Sequence, residues 1–105
     1  MKARFTALAL AATMVVPALA QAHSPLFDCY DNGDGTVMCQ GGFSDGSSAS
    51  GVKITITDGA GAVLQTLNLD ANSECTFDKP EGDYKVGFYA GEGHSIDIDG
   101  ADIVE

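Results

Sequence analysis

The amino-acid sequence predicts an all-β fold, a single small sandwich of about seven strands. Short runs of alternating apolar and polar residues recur after residue 22, and this period of two is typical of half-buried strands. Breaks rich in Gly, Ser and Asp separate these runs, and no helical periodicity occurs among them. Seven strands at such spacing are typical of two sheets that pack face to face.

The turn signals indicate where each strand ends. Turn-forming residues cluster at 44–48, 58–61 and 79–82, where the chain must reverse direction. The predicted strands are Leu26–Tyr30, Thr36–Gln40, Val52–Thr57, Val63–Leu69, Glu74–Asp78, Tyr84–Ala90 and Ser95–Asp99. Alternation and bulk predict the core residues Phe43, Val52, Ile54, Ile56, Val63, Leu67, Leu69, Phe77, Val86, Phe88 and Ile96.

Residues 1–22 have the pattern of a cleaved signal peptide. Basic residues at positions 2 and 4 precede an apolar run, and small residues suited to a signal peptidase follow that run. Cleavage after Ala22 is expected, and cleavage after Ala20 is the alternative. The remaining residues, 23–105, are enough for one small sandwich domain and too few for two.

Charge and hydropathy narrow the function classes. Beyond residue 22 there are fifteen acidic residues and three lysines, a formal charge of −12. This sign argues against a nucleic-acid partner, because binding to phosphates requires basic residues. No second apolar run approaches the roughly 20 residues that span a bilayer, so no membrane span is expected in the mature chain. We expect a soluble periplasmic or secreted protein.

The cysteines point to an oxidising compartment. Cys29 and Cys39 flank the turn-rich stretch 32–35, and a hairpin with a three-residue loop would place their side chains opposite each other. We therefore expect a Cys29–Cys39 disulfide. Cys75 is left over and alternates with Phe77, which favours an inert thiol facing the core. The alternative, three thiolates on a soft metal, lacks a close CxxC pair.

The two histidines occupy corresponding positions, since His23 precedes the first strand and His94 opens the last. Cleavage after Ala22 would let the amine and imidazole of His23 chelate one ion, as in copper histidine braces. Cleavage after Ala20 would place His23 third in the chain, where amine, amides and imidazole form a square-planar cage for copper(II) or nickel(II).

Topology decides whether the histidines can share an ion. Parallel pairing of the first and last strands, as in an immunoglobulin-like sandwich, would bring His23 and His94 to one edge. Antiparallel pairing would separate them by about 17 Å, the length of a five-residue strand. The alternative for each histidine is an ordinary polar residue beside a cleavage point or a glycine turn.

Other motifs give weaker evidence for a functional site. The stretch 31–35 resembles part of a calcium loop but lacks the ligands expected at positions three and twelve, so a hairpin turn is favoured. The carboxylates of residues 97–102 also lack the ligand spacing of a calcium-binding loop. No nucleophile–base pair, phosphate loop or dinucleotide fingerprint is present, so we do not expect an enzyme.

Several segments resemble one family. The chain has a histidine after the signal, then GFSDG at 42–46, GVKI at 51–54 and GEGH at 91–94. This order resembles the small periplasmic accessory proteins of nickel and cobalt uptake systems, whose domains are similar to carboxypeptidase regulatory-like sandwiches. The resemblance implies His23 and His94 as metal ligands. It also implies a periplasmic or membrane transport component as a partner.

Two functional hypotheses follow. The first is a soluble periplasmic protein that binds copper, nickel or cobalt through His23 and His94 and acts in metal uptake or trafficking. The transport-linked members of the family carry a C-terminal membrane anchor that this sequence lacks, which favours a free binder. The alternative is a structural or protein-interaction sandwich without metal.

Overall fold

Seven strands and one short 3-10 helix make up the part of the chain that the computed structural model describes, residues 24–91 and 93–105. The predicted signal peptide and His23 lie outside these residues. The elements are β1 (Pro25–Asp31), β2 (Thr36–Phe43), β3 (Lys53–Asp58), β4 (Val63–Asn68), β5 (Glu74–Asp78), β6 (Tyr84–Tyr89), β7 (Ser95–Asp99) and the helix Gly100–Asp102. Each predicted strand matches an observed one, with ends that differ by a few residues.

The strands form two antiparallel sheets, which confirms the all-β prediction. One sheet has three strands in the order β1-β2-β5, and the other has four in the order β4-β3-β6-β7. β1 and β7 therefore lie in different sheets, so the first and last strands are paired neither in parallel nor antiparallel. The described residues include no helix long and apolar enough to cross a membrane.

The β1–β2 hairpin carries the predicted disulfide. Cys29 lies directly opposite Cys39 in the strand register, and the two are bonded. Asn32 donates a backbone hydrogen bond to the Thr36 carbonyl at 3.0 Å, which closes the loop between them. Two glycines of that loop have positive φ, a conformation that costs glycine little. The hairpin interpretation of stretch 31–35 is confirmed.

The core lies between the sheets, and Phe88 of β6 is at its centre. Its ring is 5.0 Å from that of Phe27 on β1 and 6.1 Å from that of Phe43 on β2, measured between centroids. These contacts join the four-stranded sheet to the three-stranded one. The buried apolar residues are Phe27, Val37, Cys39, Ala49, Ile54, Ile56, Leu69, Phe77, Tyr84, Val86, Phe88 and Ile103.

Val63 was wrongly predicted in the core, since it is 59% exposed. A register shift between Ile56 and Thr57 pairs Val63 with Thr57, although Ile56 pairs with Gln65. Strict alternation assigns Val63 to the core face of β4. The extra residue on β4 moves it to the solvent face.

Asp31, the last residue of β1, forms an ion pair with Lys79. Lys79 Nζ lies 2.7 Å from Asp31 Oδ2, and the Gly33 amide donates to Asp31 Oδ1 at 2.8 Å. The hydrogen bond from Lys79 lowers the pKa of Asp31, and that from Gly33 adds to the effect. Because the folded-state pKa is lowered, the stabilisation is present above the ordinary pKa of 3.8 and is lost as the pH falls through the folded-state value.

We expect Asp31→Asn to lower the Tm at neutral pH, because the substitution removes the charge that Lys79 contacts. The Tm difference from the wild type should shrink as the pH falls from the ordinary value of 3.8 through the lowered folded-state pKa of Asp31, where its carboxylate becomes protonated. Thermal unfolding followed by circular dichroism between pH 2.5 and 7 measures this. Asp28→Asn, on the same strand and exposed, is the control. An Asp31→Asn deficit that is constant with pH would contradict the assignment.

Two neighbouring glycines in β2 provide a matched test of the core. A Cβ on Gly41 would lie 2.8 Å from a ring carbon of Phe88 and 2.9 Å from a methyl of Leu69, whereas a Cβ on Gly42 would meet nothing within 4 Å. We expect Gly41→Ala to destabilise the fold by about 1–3 kcal/mol through overpacking. Gly42→Ala should be close to neutral in the same urea titration. Equal effects would show that Phe88 does not pack on Gly41.

Candidate functional site

The chain enters β1 along the loop that follows β2. The Ser24 amide donates to Ser44 Oγ at 2.8 Å, and the Ser44 amide donates to the Ser24 carbonyl at 2.9 Å. Pro25, the next residue, pairs with Phe43 in the strand register. The backbone at Ser24 is therefore held against the beginning of this loop. His23 lies outside the described residues but is bonded directly to Ser24.

His94 lies at the turn between β6 and β7. Its amide donates to the Gly91 carbonyl at 2.9 Å, and its carbonyl accepts from the Ala90 amide at 3.0 Å. Gly91 and Gly93 both have positive φ, a conformation that costs glycine little. This local geometry accounts for the two glycines that precede His94.

The half-buried His94 lines a cavity of about 180 Å³. The other lining residues are Phe43, Ser47 and Ala90. Phe43 and Ser47 belong to the end of β2 and to the loop after it, the same short segment that holds Ser24. We call residues 43–47 the docking loop, because Ser24 is hydrogen-bonded to its Ser44 and His94 lines a cavity with its Phe43 and Ser47.

The docking loop is ordered by its own polar residues. The Asp45 carboxylate accepts hydrogen bonds from the Ser47 amide at 2.9 Å and from Ser47 Oγ at 2.6 Å. Gly46 has a positive φ, and its amide donates to the Phe43 carbonyl at 2.9 Å. This turn presents Ser44 to Ser24 and Ser47 to the cavity beside His94.

β1 and β7 run in the same direction along the sandwich. Ser24 before β1 is hydrogen-bonded to Ser44, His94 before β7 lines a cavity with Ser47, and at the far end the Asp31 amide donates to the Val104 carbonyl at 3.0 Å. The starts of the two strands thus lie at one end of the sandwich although the strands belong to different sheets. The segments that lead to His23 and His94 share one end of the sandwich.

Of the two histidines that the sequence predicts as metal ligands, only His94 lies among the described residues. In the ranges 24–91 and 93–105, no three His, Cys, Asp or Glu side chains are grouped as a metal-holding cluster. His94 is in this part of the chain, whereas His23 and its amine are outside it. Ser24, which follows His23 in the sequence, is hydrogen-bonded to the docking loop, and His94 lines a cavity with Phe43 and Ser47 of that loop.

In the two acidic stretches, 31–35 and 97–102, aspartate carboxylates accept hydrogen bonds from nearby residues of the chain. The Asp34 carboxylate accepts from the Thr36 amide at 3.0 Å and from Thr36 Oγ1 at 2.6 Å. Asp99 caps the 3-10 helix and accepts from the Ala101 amide at 3.1 Å. The Asp34 contacts agree with the hairpin turn predicted for 31–35, and the Asp99 contact places that residue at the end of β7.

Sequence reasoning missed Ser44 and Ser47 as residues of the candidate site. The signal for a loop was present in the Gly, Ser and Asp content of residues 42–46. Ser44 lies opposite Ser24 because the two residues continue the β1–β2 hairpin register. The cavity shared by Ser47 and His94 depends on how the two sheets face each other, which a local pattern does not contain. Comparison with known proteins gave no matching family model, no matching curated protein and no matching solved structure.

Proposed function

We propose that this chain is a soluble periplasmic protein that binds a copper, nickel or cobalt ion and acts in metal uptake or trafficking. His94 and His23 with its terminal amine are the proposed ligands. The observation that carries the proposal is the shared docking loop: Ser24 is hydrogen-bonded to Ser44, and His94 lines a cavity with Phe43 and Ser47.

The donor chemistry suits these metals. Imidazole nitrogen is a ligand for copper and nickel, and the affinity of nitrogen sites for divalent ions rises toward copper. An amine and an imidazole on one residue, together with a second imidazole, supply three nitrogen donors. The formal charge of −12 beyond residue 22 adds a long-range attraction for cations.

The arrangement of strands supports the proposed resemblance to the nickel and cobalt accessory proteins only at the level of the sandwich architecture. Two antiparallel sheets of three and four strands are compatible with the immunoglobulin-like, carboxypeptidase regulatory-like domain proposed from the sequence. Within that proposal the partner is a periplasmic or membrane transport component that delivers or receives the ion. The Cys29–Cys39 disulfide is consistent with the oxidising compartment that the proposal requires.

One observation favours a second candidate function, a protein-interaction module without metal. β4 is an edge strand of its sheet, and its Val63 and Leu64 side chains are 59% and 48% exposed. An edge strand with exposed apolar residues can pair with an extended segment of another exported protein. For this function the terminal amine of His23 would be irrelevant.

We expect His94→Ala to weaken binding of copper(II) or nickel(II) at least tenfold, since even changes outside the ligand shell cost about 10–100-fold at metal sites. Isothermal titration of untagged protein matured in a periplasm measures the affinity, and native mass spectrometry reports the cleavage point and the stoichiometry. Insertion of Gly-Ser between the cleavage point and His23 should weaken binding similarly, because it separates the amine from the imidazole.

Asp97→Asn is the matched control, since Asp97 is an exposed residue of the strand that His94 precedes. Its affinity should equal that of the wild type. A mass that begins at Gln21, with binding unaffected by His94→Ala, would favour the terminal square-planar cage over the two-histidine site. A chain that binds neither ion would contradict the metal proposal and favour the interaction module.

A further inference from the structure

The three cysteines form one row across the three-stranded sheet. Cys39 lies on the middle strand β2, opposite Cys29 of β1 on one side and opposite Cys75 of β5 on the other. Cys39 is fully buried, and both flanking cysteines are partly buried against the core. Cys75 is thus an in-register neighbour of a disulfide, and its place in the fold differs from that of an isolated buried thiol.

We propose that Cys75 is a second disulfide partner of Cys39, and that the Cys29–Cys39 bond exchanges with a Cys39–Cys75 bond within the folded chain. The register supplies the geometry. Residues directly opposite in an antiparallel pair have Cβ atoms about 4.5–5.5 Å apart, and a disulfide requires about 3.5–4.5 Å, so the exchanged bond requires a local approach of β5 to β2.

The order of the row matches the chemistry of exchange. A thiolate attacks one sulfur of a disulfide and displaces the other, so the entering and leaving sulfurs lie on opposite sides of the sulfur that is attacked. Cys39 lies between Cys75 and Cys29 in this sheet. Attack on Cys39 by Cys75 leads to release of Cys29.

The reaction balances without an external oxidant. Cys75 loses its proton, its thiolate forms the new bond to Cys39 Sγ, and the electron pair of the old bond leaves with Cys29 Sγ. The Cys29 thiolate then takes up a proton. One disulfide and one thiol are present before and after the exchange.

The surroundings of Cys75 keep exchange slow at neutral pH. Burial raises the pKa of the Cys75 thiol to about 11, and the Asp70 carboxylate adds to the increase. Asp70 is held in the turn before β5, where it accepts hydrogen bonds from the Asn72 and Glu74 amides. β2 brings no charged side chain to Cys75. Since the thiolate is the nucleophile, the exchange rate increases with pH below the thiol pKa.

Exchange would change which strands are crosslinked. The resting bond joins β1 to β2, and the exchanged bond joins β2 to β5. β1, which begins at the docking loop, would then be held to β2 by its backbone ladder and packing alone. The covalent crosslink would lie at the opposite edge of the same sheet.

The test maps the free thiol of the wild-type protein over time. Protein matured in a periplasm is held without added thiol or oxygen at pH 7, 8, 9 and 10, quenched in acid, and labelled with N-ethylmaleimide in denaturant at pH 6 before peptide mass spectrometry. The label should begin on Cys75 and move in part to Cys29, with a Cys39–Cys75 bond appearing and a rate that increases about tenfold per pH unit.

Two variants make the result decisive. Cys29→Ser, treated with oxidised glutathione, should form the Cys39–Cys75 bond and lose two thiols, whereas Cys75→Ser should keep Cys29–Cys39 and take up no label. Label that remains on Cys75 of the wild type at every pH would overturn the proposal. Two free thiols in Cys29→Ser, or a Cys29–Cys75 bond in the wild type, would overturn it as well.

Discussion

The packing of Phe88 over Gly41 is the contact on which the rest of the structure depends. Phe88 projects from β6 onto a position of β2 that has no side chain, and there it meets the rings of Phe27 and Phe43. This contact sets how the two sheets face each other. Since His94 follows β6 by one short turn, the same packing carries His94 to the docking loop beside Phe43.

Much of the fold could be predicted because its determinants are local. Alternation with a period of two is a property of single strands, and the glycine turns that separate them are visible in the sequence. The Cys29–Cys39 bond was predictable for the same reason, since one short hairpin determines it. Val63 shows the limit of this reasoning, because a single extra residue in β4 reverses the face to which alternation assigns it.

The candidate site was less predictable because it depends on contacts between distant segments. Parallel pairing was the arrangement that would have brought the starts of β1 and β7 together, but the strands belong to different sheets. The Ser24–Ser44 contact continues the β1–β2 hairpin register, whereas the cavity that Ser47 shares with His94 joins different sheets and no local pattern links the two residues. Buried residues at strand ends and in loops, such as Ala49 and Ile103, were missed for the same reason.

Phe88 packing brings the start of β7 to the docking loop, beside which the β1–β2 hairpin holds the start of β1. We would measure nuclear Overhauser effects in the matured, metal-free protein, because they report short distances between protons of assigned side chains. We expect cross-peaks from the His94 ring to Phe43 and Ser47, and from Ser24 to Ser44. A His94 ring with cross-peaks only to its own β6–β7 turn would contradict this placement of His94.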